Sequence, residues 1–147
     1  FSMVQGGSEF RPGQLLVADA IDAEVARMFH ALKQAGRVQL IPGDAQEIFP
    51  GVSVYTGGKH TFASEYVGVN TRSGTVILAS DNAYLYENIE KRRPINQTLD
   101  SLSNLAAQER MLKLAASPKF IVPGHDMQVY WRFTAGGSTN QRVARID

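Results

Sequence analysis

A chain of 147 residues with 44% hydrophobic content is the size of one domain and can bury about two-thirds of the surface its unfolded form exposes. A net charge of +1, with 20% charged residues, supplies no basic stripe for nucleic acid or an anionic membrane, and the absence of cysteine excludes disulfides, thiolate zinc sites and cysteine nucleophiles. No apolar run approaches the roughly 18 residues of a membrane helix, and the N-terminus lacks the basic-then-apolar layout of a signal peptide, so a soluble, cytoplasmic protein is the default expectation.

Residues 1–12 show no periodicity, and Gly7-Ser8-Glu9-Phe10 reads as an irregular or cloning-derived N-terminus. The main domain is expected over 13–133, and 134–147, with its Gly-Gly-Ser-Thr-Asn run, as a flexible tail. Gln14–Ala18 is a candidate strand. Asp22 is a helix N-cap, Val25, Met28, Phe29 and Leu32 recur at the spacing of an amphipathic helix, and Gly36 is its stop. His30 beside that stripe reads as an ordinary helix histidine. Short strands are expected at Val38–Ile41, Gln46–Phe49 and Val52–Thr56, punctuated by Pro42-Gly43-Asp44 and Pro50-Gly51 as in a β-meander. Ser64–Thr71 and Thr75–Ser80 form a hairpin through Arg72-Ser73-Gly74. Consecutive Val76, Ile77 and Leu78 predict a strand buried on both faces. Asn82–Ile89 is expected to be helical. Asp100 caps the longest helix, to about Ala116, with Leu102, Leu105, Ala106 and Leu112 inside and Gln108, Arg110 and Lys113 outside. Phe120–Val122 is the last strand, and the aromatic group Tyr130, Trp131 and Phe133 anchors a final segment. Lys91-Arg92-Arg93 reads as a solvated loop. This element order is that of an α/β layered domain.

Three side chains of metal-ligand type fall at strand ends: His60 in the polar loop after Val52–Thr56, Asp81 where Thr75–Ser80 stops, and His125 after Phe120–Val122. Rigid strands can bring such residues together, and imidazole with carboxylate is the donor set of zinc where thiolates are absent. The spacing also permits ordinary polar loop residues, with Asp81 capping the segment after it. A Ser-His-Asp hydrolase using Ser64 or Ser80 with His125 lacks a Gly-x-Ser-x-Gly elbow.

The ordered pieces resemble a known family. Gly51-Val52 leads into a Tyr55-Thr56-Gly57 strand end. His60-Thr61-Phe62-Ala63-Ser64 stands where the family has His-Thr-Pro-Gly-His, Leu78-Ala79-Ser80-Asp81 is a strand ending in the acid, and Pro123-Gly124-His125-Asp126 carries the last Gly-His. From Gly43 to Asp126 the chain resembles the C-terminal half of a metallo-β-lactamase-fold hydrolase, most closely the N-acyl-homoserine lactone lactonases. The resemblance implies half of an αββα layered sandwich and a hydrolase that opens lactone or ester bonds with water activated by two zinc ions. By the same resemblance Asp81 is the bridging carboxylate, His125 a terminal ligand of the second metal, and Tyr84 a substrate-contacting phenol three residues after the acid.

Two departures qualify the resemblance. The family's ligand in His-Thr-Pro-Gly-His is the second histidine, where this chain has Ser64, so His60 is expected to substitute. The family's upstream His-x-His-x-Asp-His motif, which supplies most ligands of the first metal, does not occur in this sequence. A half-domain would leave an apolar sheet face to be covered by a missing N-terminal fragment, a second copy in a homo-oligomer, or a rearranged core. The chain alone is therefore expected to be inactive, with two zinc ions in the complete fold and none required in this piece. The alternative is a non-catalytic truncated homologue used for dimerisation or ligand binding. No nucleic-acid or membrane partner is expected.

Overall fold

Valine-rich runs separated by Pro-Gly and Ser-Gly turns build a sheet at the centre of the chain. In the computed structural model, residues 23–133 and 145–146 are described, and the chain divides into two units, Phe1–Pro42 and Gly43–Asp147. The described element of the first unit is helix α1, Ala23–Gln34, with Glu24 in its first turn and Lys33 in its last, both placed to complement the helix dipole. It stops at Gly36, whose φ of +69° is one a glycine adopts without strain. The strand expected at Val38–Ile41 does not form. These residues are irregular because no described strand pairs with them, and an extended segment without a partner has nothing to satisfy its backbone. The expected strand Gln14–Ala18, the Asp22 cap and the Gly-rich tail lie outside the described residues.

In the second unit β1 (Gln46–Phe49), β2 (Val52–Thr56), β3 (Glu65–Thr71) and β4 (Gly74–Ser80) form the expected antiparallel meander, and β5 (Ile121–Pro123) pairs parallel to β4. The β3–β4 turn closes at the Thr71–Gly74 pair. Gly74 has φ +108° and no space for a Cβ, which would collide with that of Ala116. A parallel neighbour requires a long crossover. Here it contains α2 (Tyr86–Glu90), α3 (Ser101–Leu114) and a 3₁₀ turn at Pro118–Phe120, and after β5 comes α4 (Gln128–Phe133). Among the described residues no helix is long and apolar enough to cross a membrane.

Register sorts the sheet into two faces. Val54, Val67, Leu78 and Val122 are paired across four strands and Val52, Val69 and Val76 across three, so these share one face. The other face carries Tyr66, Ile77, Ala79 and Ile121, which join Ala83, Ile89, Ala107 and Met111 in the core. Val76 and Ile77, on opposite faces, are both buried, whereas Leu78 keeps 38% of its surface exposed, so β4 is buried on both faces at Val76–Ile77 but not at Leu78; α3 packs on the Ile77 face.

The crossover helices also depart from expectation. Asp100 caps α3 by accepting from Ser103 N at 3.0 Å, as predicted, but the helix is turned differently. Its buried residues are Asn104, Ala107, Gln108 and Met111, while Leu102 is 79% exposed. The two amides go inside because the crossover offers them backbone partners there. Helix α2 is shorter than the expected 82–89, since the residues after Asp81 form turns, and its first N–H, that of Tyr86, is taken by Asp126 Oδ2 at 2.9 Å rather than by Asp81. Lys91 and Arg93 both pair with Glu87, as befits a solvated loop. Of the aromatic group expected to anchor this segment, Trp131 on α4 is exposed, while Tyr130 and Phe133 are half-buried.

Candidate metal centre

Each candidate donor is aimed by a local backbone device. Ser80, immediately before Asp81, has φ +48°, and Lys59, immediately before His60, has φ +55°. Left-handed backbone at a residue with a Cβ costs about 1–2 kcal/mol and persists only where its surroundings impose it. At Ser80 the imposition comes from β5: the β4–β5 register shifts between Leu78 and Ser80, and Gly124 comes so close that a Cβ on it would lie 2.7 Å from Ser80 O. The turn after β5 is then clamped to the segment after β4, since Gly124 N donates to Ala83 O and His125 N to Tyr84 O, both at 2.9 Å. Lys59 is held from the other side, its carbonyl accepting from Leu99 N at 2.9 Å and from the Thr98 hydroxyl at 3.2 Å.

The result brings His60, Asp81, Tyr84 and His125 together. His125 Nε2 lies 2.6 Å from Asp81 Oδ1, and His60 Nε2 lies 3.9 Å from Asp81 Oδ2. The Tyr84 ring meets both imidazoles edge-on, with centroids 4.9 Å from His125 and 5.9 Å from His60. Its hydroxyl lies 3.4 Å from Gln97 Oε1 and 3.4 Å from His60 Nδ1. Burial, and then the Asp81 charge, raise the Tyr84 pKa above the ordinary phenol value, so Tyr84 stays a donor. His60 Nδ1 lies 2.7 Å from the Gln97 main-chain carbonyl. A carbonyl only accepts, so Nδ1 carries a proton and Nε2 faces Asp81.

Ser64 takes no part in this group; its hydroxyl donates to Asn82 Oδ1 at 3.4 Å. His125 pairs with Asp81 and not with a serine, which leaves the Ser-His-Asp alternative without support. His30 lies on α1 in the first unit. Sequence reasoning missed Gln97, which orients His60 through a main-chain atom and so leaves no side-chain signature, and the buried amides behind the site. Asn104 and Gln108 carried a usable signal: with Ala107 and Met111 they repeat at i, i+3, i+4 and i+7, a second helical face.

Imidazole and carboxylate are the right kinds of donor for zinc, but the set falls short in number and enclosure. Among the described residues no group of three or more His, Cys, Asp or Glu side chains is arranged to hold a metal ion. The two histidines sit on different oxygens of Asp81 instead of surrounding one point. The short His125–Asp81 contact is a hydrogen bond between the two atoms a cation would share, so a cation bound there would replace that hydrogen bond.

A mixed α/β unit with a five-stranded sheet and donors at its strand ends matches part of the metallo-β-lactamase fold as seen in solved lactonases. One is an N-acyl homoserine lactone hydrolase with the product N-hexanoyl-L-homoserine bound at its catalytic metal center, matched at 28% identity and a TM-score of 0.53 over 61% of this chain and 36% of that one. A B. thuringiensis AiiA mutant with N-decanoyl-L-homoserine bound at its active site matches with the same four values. A quorum-quenching N-acyl homoserine lactone lactonase matches at 28% identity and a TM-score of 0.52, over 61% of this chain and 38% of that one. This chain is a partial structural homologue of these lactonases and spans a little over a third of their length. No family model and no curated protein matches it.

Proposed function

We propose that this chain carries part of a metal-dependent hydrolase centre that opens lactone or ester bonds. The observation that carries this reading is the two-sided environment of Asp81, with His125 on one oxygen, His60 facing the other and Tyr84 against both rings. Asp81 would be the shared carboxylate and His125 and His60 the neutral donors on either side of it. Zinc bound there would supply a water activated at neutral pH and polarisation of the carbonyl under attack. The chain's own residues do the rest. Gln97 keeps Nε2 of His60 toward Asp81, and the Tyr84 hydroxyl, beside both imidazoles, would donate to the oxygen on which charge develops as the ring opens. A lactone is the favoured substrate class because two of the matched structures, one of them a lactone hydrolase with its product, hold N-acyl-L-homoserines at their sites.

Three protein donors can serve a single catalytic zinc only when they surround one point, which these do not, and a two-ion centre needs more, so we place the remainder on a further segment or a second copy. The expected outcome is little or no ring opening when the chain alone is incubated with zinc and an N-acyl homoserine lactone and the product acid is followed by chromatography. Robust turnover by this chain alone would overturn the partial-site reading. A second reading, a non-catalytic module for dimerisation or ligand binding, is favoured by the lack of a three-donor group among the described residues. Stoichiometric zinc in the purified protein supports the first reading; folded, oligomeric and metal-free protein supports the second.

A further inference from the structure

Behind the site lies a cluster of carboxamides that take no part in the proposed chemistry and yet are closed off from solvent: Asn82 and Asn104 are fully buried and Gln108 nearly so. Buried amides destabilise a fold unless they are bonded, and Asn82 is bonded at every polar atom. Its Oδ1 accepts from Gly58 N at 2.6 Å, and its Nδ2 donates to the carbonyls of Glu65 and Ala79, both at 3.0 Å. Its main-chain carbonyl accepts from Asn104 Nδ2 at 3.0 Å and Gln108 Nε2 at 3.3 Å. Asn104 Oδ1 in turn accepts from Ile95 N at 3.0 Å. The end of β4, the start of β3, the His60 loop and the segment before α3 are thereby tied to one face of α3.

We propose that Asn82 is the positioning residue of the centre, its carboxamide fixing His60 relative to Asp81. Asn82 is the next residue in the chain after Asp81, and the amide it holds belongs to Gly58, two residues before His60. The loop rests on this side chain with no slack. A Cβ on Gly57 would collide with Asn82 Oδ1, and one on Gly58 would lie 2.5 Å from Asn104 Cα. With Gly58 fixed on one side and the Lys59 carbonyl fixed by Leu99 N on the other, His60 has one way to leave the loop, and it ends with Nδ1 on the Gln97 carbonyl. The Ser64 hydroxyl, at 3.4 Å from Asn82 Oδ1, is a weak second contact that the positioning does not need.

The inference rests on His60 being a donor beside Asp81, and the test separates the two claims. In the histidine-labelled chain, the ring nitrogens of His60 report the tautomer without any metal present. The wild type is expected to show one tautomer, protonated at Nδ1. Asn82→Ser, too short to reach Gly58, is expected to lose that single-tautomer signature while its backbone amide spectrum stays folded. Ser64→Ala is expected to leave it unchanged, and in the wild type the Gly58 amide, bonded to Asn82 Oδ1, is expected to exchange slowly with solvent. A folded Asn82→Ser chain with the wild-type His60 signature, or a wild-type Gly58 amide that exchanges as fast as an open loop amide, would overturn the proposal. Adding zinc to the wild type tests the other claim: a His60 ring indifferent to zinc removes the metal reading and leaves the positioning result standing.

Discussion

Tyr66 shows what a single burial does to this fold. Its ring stacks on Tyr55 with centroids 5.3 Å apart, only 1% of its surface is exposed, and among the described residues its hydroxyl has no hydrogen-bond partner. Burial pushes its pKa up to about 12, against a modest lowering by the Arg110 charge. The folded value lies above the unfolded value near 10, so the contribution to stability is complete below about pH 10 and is lost as pH rises toward 12, by about 2–3 kcal/mol. Tyr66→Phe removes an orphan hydroxyl, and its stability at neutral pH should be equal to the wild type or higher by up to about 1 kcal/mol. Its alkaline loss should be correspondingly smaller. Urea midpoints at about pH 7 and about pH 11 measure both effects; an alkaline loss as large in the variant as in the wild type would contradict this assignment.

Among the elements, the paired glycines of the His60 loop and the inner face of α3 are mutually dependent. Gly58 packs against a backbone atom, Asn104 Cα, which cannot swing away as a side chain would. Gly58→Ala should therefore destabilise the fold by about 1–3 kcal/mol, the usual range for overpacking, read as a lower urea midpoint. A midpoint within error of the wild type would show that the loop stands off α3. The strands were legible in the sequence because β-branched runs alternate with Pro-Gly and Ser-Gly turns, and Gly36, Gly74 and Asp100 marked turns and a cap through their backbone chemistry. The inner face of α3 was not legible by hydrophobicity, because that rule places Leu102 inside and Gln108 outside, whereas the amides are drawn in by carbonyls of distant segments. The same holds at the site. Asp81 and His125 stand at strand ends where sequence pattern can find them, but Asn82 reads as an ordinary turn residue and the Gln97 carbonyl belongs to no residue type.

For the molecule as a whole, the sheet has one face committed to the core with Met111 and Ala107 and another made of Val52, Val54, Val67, Val69, Val76, Leu78 and Val122, on which Val54 and Val76 are buried and Leu78 is exposed. Layered α/β domains bury such faces against a further layer, and the matched lactonases are longer chains of which this one spans a little over a third. Asp81 follows the last residue of β4, and the turn that carries His125 after β5 is clamped to the segment after β4 by main-chain hydrogen bonds, so the placement of these two side chains follows the pairing of β4 with β5. Zinc titration of the histidine-labelled chain tests most directly whether that geometry serves a metal. The expected result is that the ring signals of His60 and His125 move together while His30 on α1 does not respond. In Asp81→Asn the zinc needed should rise beyond the roughly 10–100-fold typical of losing an outer-shell partner. If His60 and His125 are silent at millimolar zinc, if His30 responds equally, or if Asp81→Asn changes nothing, Asp81 is no metal ligand and the hydrolase reading is wrong.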